Sequence, residues 1–378
     1  MATRATIRRE IARRLNMDFA LRVGESSTAT GGGAAKLNLI DTSLLTQADD
    51  YWNGDWLYIA AVASGDTNVD KVRLITDSDQ GNGAVDFLEP LGAQVASGDT
   101  YEIHSGWNAA QIHSAVNAAI EDGFPEFFDM NMDDSVIVTR DTLEYTLPTG
   151  TAPYFVNRLW IEQPEEKAKG TASSGGATTL VDSSRSWTND EWIGMTVAIY
   201  HGTGKGQHAV ITGSSSNTLT HAAWLGTGTT SPDTTSKYVI KDTTRELRDH
   251  YRVTAARLDK VYYPTKLYLT SRYTRFEGYA LRLQYVSKPS ALTVEASSTD
   301  VPQEFIVRKA LALLYAQRIA DTRVDSDRFR YLQQYYDTLA EAYRQQNKWR
   351  MPSATMWTEV ETVADLLPSD YPFSGQSY

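Results

Sequence analysis

With 378 residues, 41% of them hydrophobic and 22% charged, the chain has room for two or three domains and is too apolar for wholesale disorder. It has no cysteine, which excludes disulfides and thiolate metal sites. A formal net charge of -11 argues against a general nucleic-acid binder, though not against a surface past which DNA slides.

Residues 1–10 carry charge but no apolar run, and no later run is long enough to span a membrane. The sequence therefore predicts a protein of the cytoplasm or of a virion. Residues 6–16 read as a short helix with Ile7, Ile11 and Leu15 on one stripe and Arg4, Arg8, Arg9, Arg13 and Arg14 around it. Those arginines admit a DNA-channel contact, for which Arg8, Arg9 and Arg13 are the candidates, or a solvated or subunit-facing surface. The second is the plainer reading of one basic helix in an acidic chain.

From 26 to 104 the composition turns to Gly, Ser, Thr, Asp and β-branched residues with strand alternation. Helix resumes at Trp107, with Ile112, Ala115, Val116, Ala119 and Ile120 on one face and Gly123-Phe124-Pro125 as its end. Strands are expected at 135–139, 143–147 and 155–161, then a polar junction at 163–169. A second Gly/Ser/Thr-rich stretch runs to 241, and strands return at 252–253, 266–270 and 279–285.

The two Gly/Ser/Thr-rich stretches repeat each other. Leu39-Ile-Asp-Thr-Ser43 matches Leu180-Val-Asp-Ser-Ser184, Asp50-Tyr-Trp-Asn-Gly54 matches Asp190-Glu-Trp-Ile-Gly194, and Tyr101-Glu-Ile103 matches Tyr238-Val-Ile240. Each copy has enough strands for a small barrel or sandwich. Trp52 and Trp192 are either core residues of these modules or exposed sugar-binding platforms.

Residues 300–349 read as a helical hairpin. Asp300-Val-Pro-Gln-Glu304 is a start signal, Ile306, Ala310, Leu313, Leu314 and Gln317 recur at helical spacing, and 321–326 turns the chain. On the second helix Phe329, Leu332, Tyr336, Leu339 and Tyr343 form a heptad-like seam. Burying these faces within the hairpin alone does not offset the entropy of ordering it, so a partner helix is needed. The helix at 107–122 is one candidate and a neighbouring subunit is the other. Residues 351–378, with three prolines and single apolar side chains, read as an arm that lies on another subunit or wraps back on its own domain. Trp357, Leu366, Leu367, Tyr371, Phe373 and Tyr378 are its expected contacts.

Catalytic and cofactor signatures are weak. The six histidines show no two-His helix motif. Gly202-Thr-Gly-Lys-Gly-Gln207 lacks the hydroxyl residue of a phosphate loop and reads as a hairpin turn. Asp129-Met-Asn-Met-Asp133 begins like a calcium loop but has Asp134 where glycine is needed. A cell-wall hydrolase would need carboxylates assembled from distant segments. No cofactor or metal is expected.

The expected fold class is α+β. A discontinuous helical and β core (1–25, 105–165 and 242–348) is interrupted by two homologous all-β insertions (26–104 and 166–241) and followed by an extended arm (349–378). The short N-terminal helix, the slim helix of 107–122, the alternating strand ending in Lys288-Pro289 and the closing hairpin with its tail together resemble the head-to-tail adaptor, or head completion, proteins of tailed bacteriophages. The resemblance implies a ring of identical subunits, commonly twelve, in the neck of the virion after assembly in the host cytoplasm. It also implies a portal protein gripped by the C-terminal arm, a tail-side partner, DNA passing without sequence-specific contact, and no catalysis. A carbohydrate-binding tail or fibre protein is the alternative.

Overall fold

The computed structural model describes residues 1–350 except 20, 64, 66, 140–141, 148–152, 227–229, 244–248, 254–255 and 320–325. Most of the expected turn at 321–326, and all of the arm beyond 350, lie outside the described residues. The chain is mixed α and β and divides into two compact units, one of Met1–Phe128 with Lys288–Arg350 and the other of Asp129–Ser287. These units are drawn differently from the expected core and insertions. The helices belong with the first β module and the β segment with the second, because helices and β segment close on separate hydrophobic cores.

In the first unit, α1 (Arg4–Phe19) is longer than expected because Thr3 caps it, its hydroxyl accepting from the Thr6 amide. Helix α2 (Ala109–Asp122) starts two residues later than Trp107 suggests. Asn108 and Gln111 form a reciprocal capping box there, and Gly123 closes the other end. Helix α3 (Gln303–Ile319) packs against α1, α2 and α4 (Ser326–Asn347) and is buried on most of its circumference. That is why a single stripe misplaces some of its residues: Gln317 is exposed, while Phe305, Val307, Leu311 and Tyr315 are buried.

The first module has six strands, β1 (Val23–Thr28), β2 (Asn38–Ile40), β3 (Trp56–Ala61), β4 (Val72–Asp79), β5 (Ala84–Phe87) and β6 (Thr100–His104), in the order β1-β6-β3-β4-β5-β2. The second has β7 (Glu165–Thr171), β8 (Thr179–Val181), β9 (Thr196–His201), β10 (Gln207–Ser214), β11 (Thr218–His221) and β12 (Lys237–Asp242). Its order is β7-β12-β9-β10-β11-β8, the same topology, with the two-residue strand Ser174–Gly175 added at the end.

The likeness extends to irregularities. Register shifts fall at Ile59/Ala61 and Ile75/Asp77 in one module and at Ile199/His201 and Ile211/Gly213 in the other. Asp50 and Asp190 both take positive φ, as do Gly54 and Gly194, so both Asp-x-Trp-x-Gly turns share one backbone path. The Leu-x-Asp-x-Ser signature has a physical basis. Asp41 accepts from the Ser43 amide at 2.8 Å and the buried Tyr101 hydroxyl at 2.9 Å, and Asp182 does the same for Ser184 at 3.0 Å and Tyr238 at 2.6 Å.

In the second unit, the strands Asp249–Arg252, Phe155–Gln163, Ala280–Ser287 and Asp129–Ile137 form a four-stranded sheet in that order. Val136, Leu159, Ile161, Leu281 and Leu283 pack on Tyr145, Leu267 and Leu269, from a second sheet of Glu144–Thr146, Lys266–Leu269 and Ala256–Leu258. The strand expected at 135–139 starts earlier, as the edge strand Asp129–Ile137 that takes in the calcium-loop-like 129–133, and the polar junction is the edge strand β7. Charged residues guard such edges, and that polarity hid their strand character. Asp129 and Asp133 are held in the ladder opposite Ser287 and Leu283, so no metal loop forms there.

Residues 202–207 connect β9 to β10 as the expected hairpin turn. Module two occupies the connection between Phe155–Gln163 and Asp249–Arg252, which pair with each other and end at Gln163 opposite Asp249.

Candidate interaction surface on the helical body

The arginines of α1 part into two sets. Arg4 and Arg8 point inward, and Arg8 is 0% exposed. Its guanidinium donates twice to Glu102, at 2.9 and 2.7 Å, and to Glu295 at 2.5 Å, while its face covers the Tyr58 ring. Arg4 donates to Glu295 at 3.1 Å and to the Thr293 carbonyl, and pairs with Asp70. The Tyr58 hydroxyl lies 2.6 Å from Asp70 and 2.7 Å from Glu295 and donates its one proton to either, and His104 stands 3.1 Å from Glu102.

This is a correction to the expected role of Arg8. A buried guanidinium satisfied by two carboxylates makes no contact with DNA or a neighbouring subunit; it ties α1 to β6 and to the segment before α3. Its carboxylate partners lie at 102 and 295, too far along the chain to be read as a pair.

Burial alone would raise the Glu102 carboxyl, but hydrogen bonds from His104 and Arg8 and the guanidinium charge hold it at about 2. Desolvation, with Arg4 and Arg8 close by, lowers His113 to about 4. Both groups bind protons less readily folded than unfolded. His113 therefore contributes its full stabilisation above about pH 6.5 and loses it as pH falls to about 4, a change of order 3 kcal/mol. Glu102 loses its share from about 4.5 to about 2. Urea midpoints measured across this range are expected to fall from pH 6.5 downward, and His113→Gln is expected to flatten the part between 6.5 and 4.

Arg9 and Arg13 point outward, with side chains 67% and 59% exposed. Arg13 donates to Glu10 at 2.9 and 2.7 Å, and this pairing holds the Glu10 carboxyl at about 2. Arg14 bridges Glu10 and Glu304, and Arg308 donates to Glu304 and to the Leu339 carbonyl.

Between α1, α3 and α4, Arg13, Arg14 and Arg308 border a cleft of about 290 Å³ whose walls include Met17, Tyr335 and Leu339. Tyr331 and Tyr335 are exposed and stack on each other beside it, with centroids 6.3 Å apart. At its floor Asp18 accepts from Tyr315 at 2.5 Å and Tyr336 at 3.0 Å.

The seam expected to pack a ring is used inside the chain. Phe329 is buried and stacks on Phe19 at 4.9 Å with Trp107 and Tyr315 around it, Tyr336 is buried, and Leu332 and Tyr343 pack on the same core. Of the five, Tyr336 and Leu339 border the cleft. Helix α2, the partner expected from the sequence, and helix α1 both pack on α3 and supply the cover that the hairpin lacks alone. What faces outward on α4 is a pair of tyrosines absent from the heptad reading, since residues between seam positions carry no apolar signal. Trp357, Leu366, Leu367, Tyr371, Phe373 and Tyr378 lie outside the described residues.

Trp52 and Trp192 are both buried in their module cores, which removes them as sugar platforms. In the second unit, a cavity of about 380 Å³ is lined by Glu162, His208 and Lys241. The buried Lys241 ammonium donates to the Gly278 carbonyl and lies 3.3 Å from the centroid of the Tyr279 ring, and desolvation pushes its pKa well down. Among the described residues no cluster of His, Asp and Glu is arranged to hold a metal ion, and no helix is long and apolar enough to cross a membrane. No family model matches the chain, and no curated protein or solved structure matches it.

Proposed function

We propose that the chain is the repeated subunit of a ring between portal and tail in the neck of a tailed bacteriophage, and that it acts by docking, without catalysis. The observation that carries this reading is the cleft between α1, α3 and α4, where exposed Tyr335 and Met17 sit among Arg13, Arg14 and Arg308 and exposed Tyr331 stacks on Tyr335. Tyrosine and arginine are the side chains that dominate binding energy at protein interfaces, and here they stand together on three packed helices. The order of elements supports the same reading: N-terminal helix, slim helix, β segment closing on Lys288-Pro289, then hairpin and tail. In this role the ring borders the DNA path through an acidic chain that does not grip it, and the arm from Trp357 to Tyr378 reaches the portal.

Native mass measurement tests the proposal. The expected species is a multiple of 42.0 kDa, twelve by the family resemblance, alone or when portal protein is added. The double variant Tyr331→Ala/Tyr335→Ala is expected to weaken association by about tenfold or more while changing stability by no more than ~0.5 kcal/mol. A single 42.0 kDa species at every concentration, with and without portal, overturns the reading.

A further inference from the structure

We propose that in the unassembled subunit the chain's own C-terminal segment, from Trp357 to Phe373, occupies the cleft between α1, α3 and α4 and masks the docking face. This rests on the reading of that face given above and adds its occupant. The segment beyond 350 contains Glu359, Glu361, Asp365 and Asp370 and no lysine, arginine or histidine. Arg13, Arg14 and Arg308 line the cleft beside Glu10 and Glu304, while Asp18 is turned inward to two tyrosine hydroxyls. Glu10 and Glu304 each serve two arginines, so the guanidiniums keep unused donors for a further carboxylate. The apolar character also matches. Met17, Tyr335 and Leu339 offer apolar surface of the kind that Trp357, Leu366, Leu367 and Tyr371, interspersed with those acids, would cover.

Reach decides in favour of the chain's own segment over that of a second copy. The described chain ends at Arg350, where Trp349 is fixed on Phe127 and Phe128. Leu339 lies eight positions before Asn347 on α4, which is about 12 Å along the axis. Asp365, fifteen residues past Arg350, has up to about 50 Å of extended chain with which to fold back. A tether of that length gives a local concentration in the millimolar range, above that of a second copy in dilute solution. Assembly then exchanges the internal segment for a partner at the same face.

The chain's lack of cysteine makes the test direct. Cysteines are placed in the full-length protein as Asp365→Cys with Leu339→Cys, as Asp365→Cys with Tyr335→Cys, and, for control, as Asp365→Cys with Leu88→Cys on the exposed edge of the first module. Disulfide formation at monomer mass is expected to run about tenfold faster for the first two pairs than for the control, and to slow in high salt. Equal rates for all three pairs, or disulfide-linked dimers in place of monomers, overturn the proposal. The native mass of the cysteine-free protein reports separately on the ring, so failure of the latch and failure of the adaptor reading give different results.

Discussion

Arg8→Met is expected to lower the stability of the first unit by about 3–5 kcal/mol at neutral pH, the cost of leaving buried carboxylates without their cation. Methionine fills much of the same space, so the loss is electrostatic more than steric. Glu102, 1% exposed, would keep His104 at 3.1 Å and the more distant Arg9 guanidinium at 3.7 Å, and Glu295 would keep Arg4 and Tyr58. Two further results follow. The double variant Arg8→Met/Glu102→Gln should be more stable than Arg8→Met alone, because the unpaired charge is gone. The penalty should also shrink as pH falls below about 4.5 and Glu102 takes up a proton in the variant. Urea unfolding of the three proteins measures all of this. A single-variant loss below ~1 kcal/mol would show that the guanidinium is not what neutralises this site.

Phe329→Ala should cost a similar ~3–5 kcal/mol, for a different reason. Its ring is enclosed by Phe19, Trp107 and Tyr315, and truncation leaves a cavity among three aromatics held by α1, α2's leading edge and α3. The effect should appear in the isolated subunit as a lower thermal midpoint. Tyr331→Ala, two residues away and exposed, should leave that midpoint nearly unchanged. The contrast separates a residue that makes the subunit from one that lets subunits meet. Equal midpoints for Phe329→Ala and the parent would mean that α4 is not docked as described.

Much of the architecture was legible because it is written locally. The apolar spacing of α2 and α3 and the Asp-x-Trp-x-Gly turns depend on neighbours a few residues apart. The repeat was legible twice over, since the same buried set, Leu39, Trp52, Ile59, Ile75 and Tyr101, recurs as Leu180, Trp192, Ile199, Ile211 and Tyr238. What escaped was long-range or polar. Nothing near Arg8 announces Glu102 or Glu295, and a polar edge strand such as β7 offers no alternation strong enough to set it apart from a junction. The candidate face was half legible: its arginines were noted on α1, but Tyr331 and Tyr335 stood outside the seam pattern, and the arm's residues await their surface.

The second module leaves and re-enters its sheet at a single rung, where Gln163 faces Asp249. Opposed residues in an antiparallel pair sit only about 5 Å apart. Whatever hangs between those two points, a tight turn or an entire folded body, makes the same small demand on the sheet beneath. A lineage can therefore lengthen, exchange or discard this appendage without disturbing the part that bears it, and an experimenter can hang a fluorescent or affinity tag at the same place.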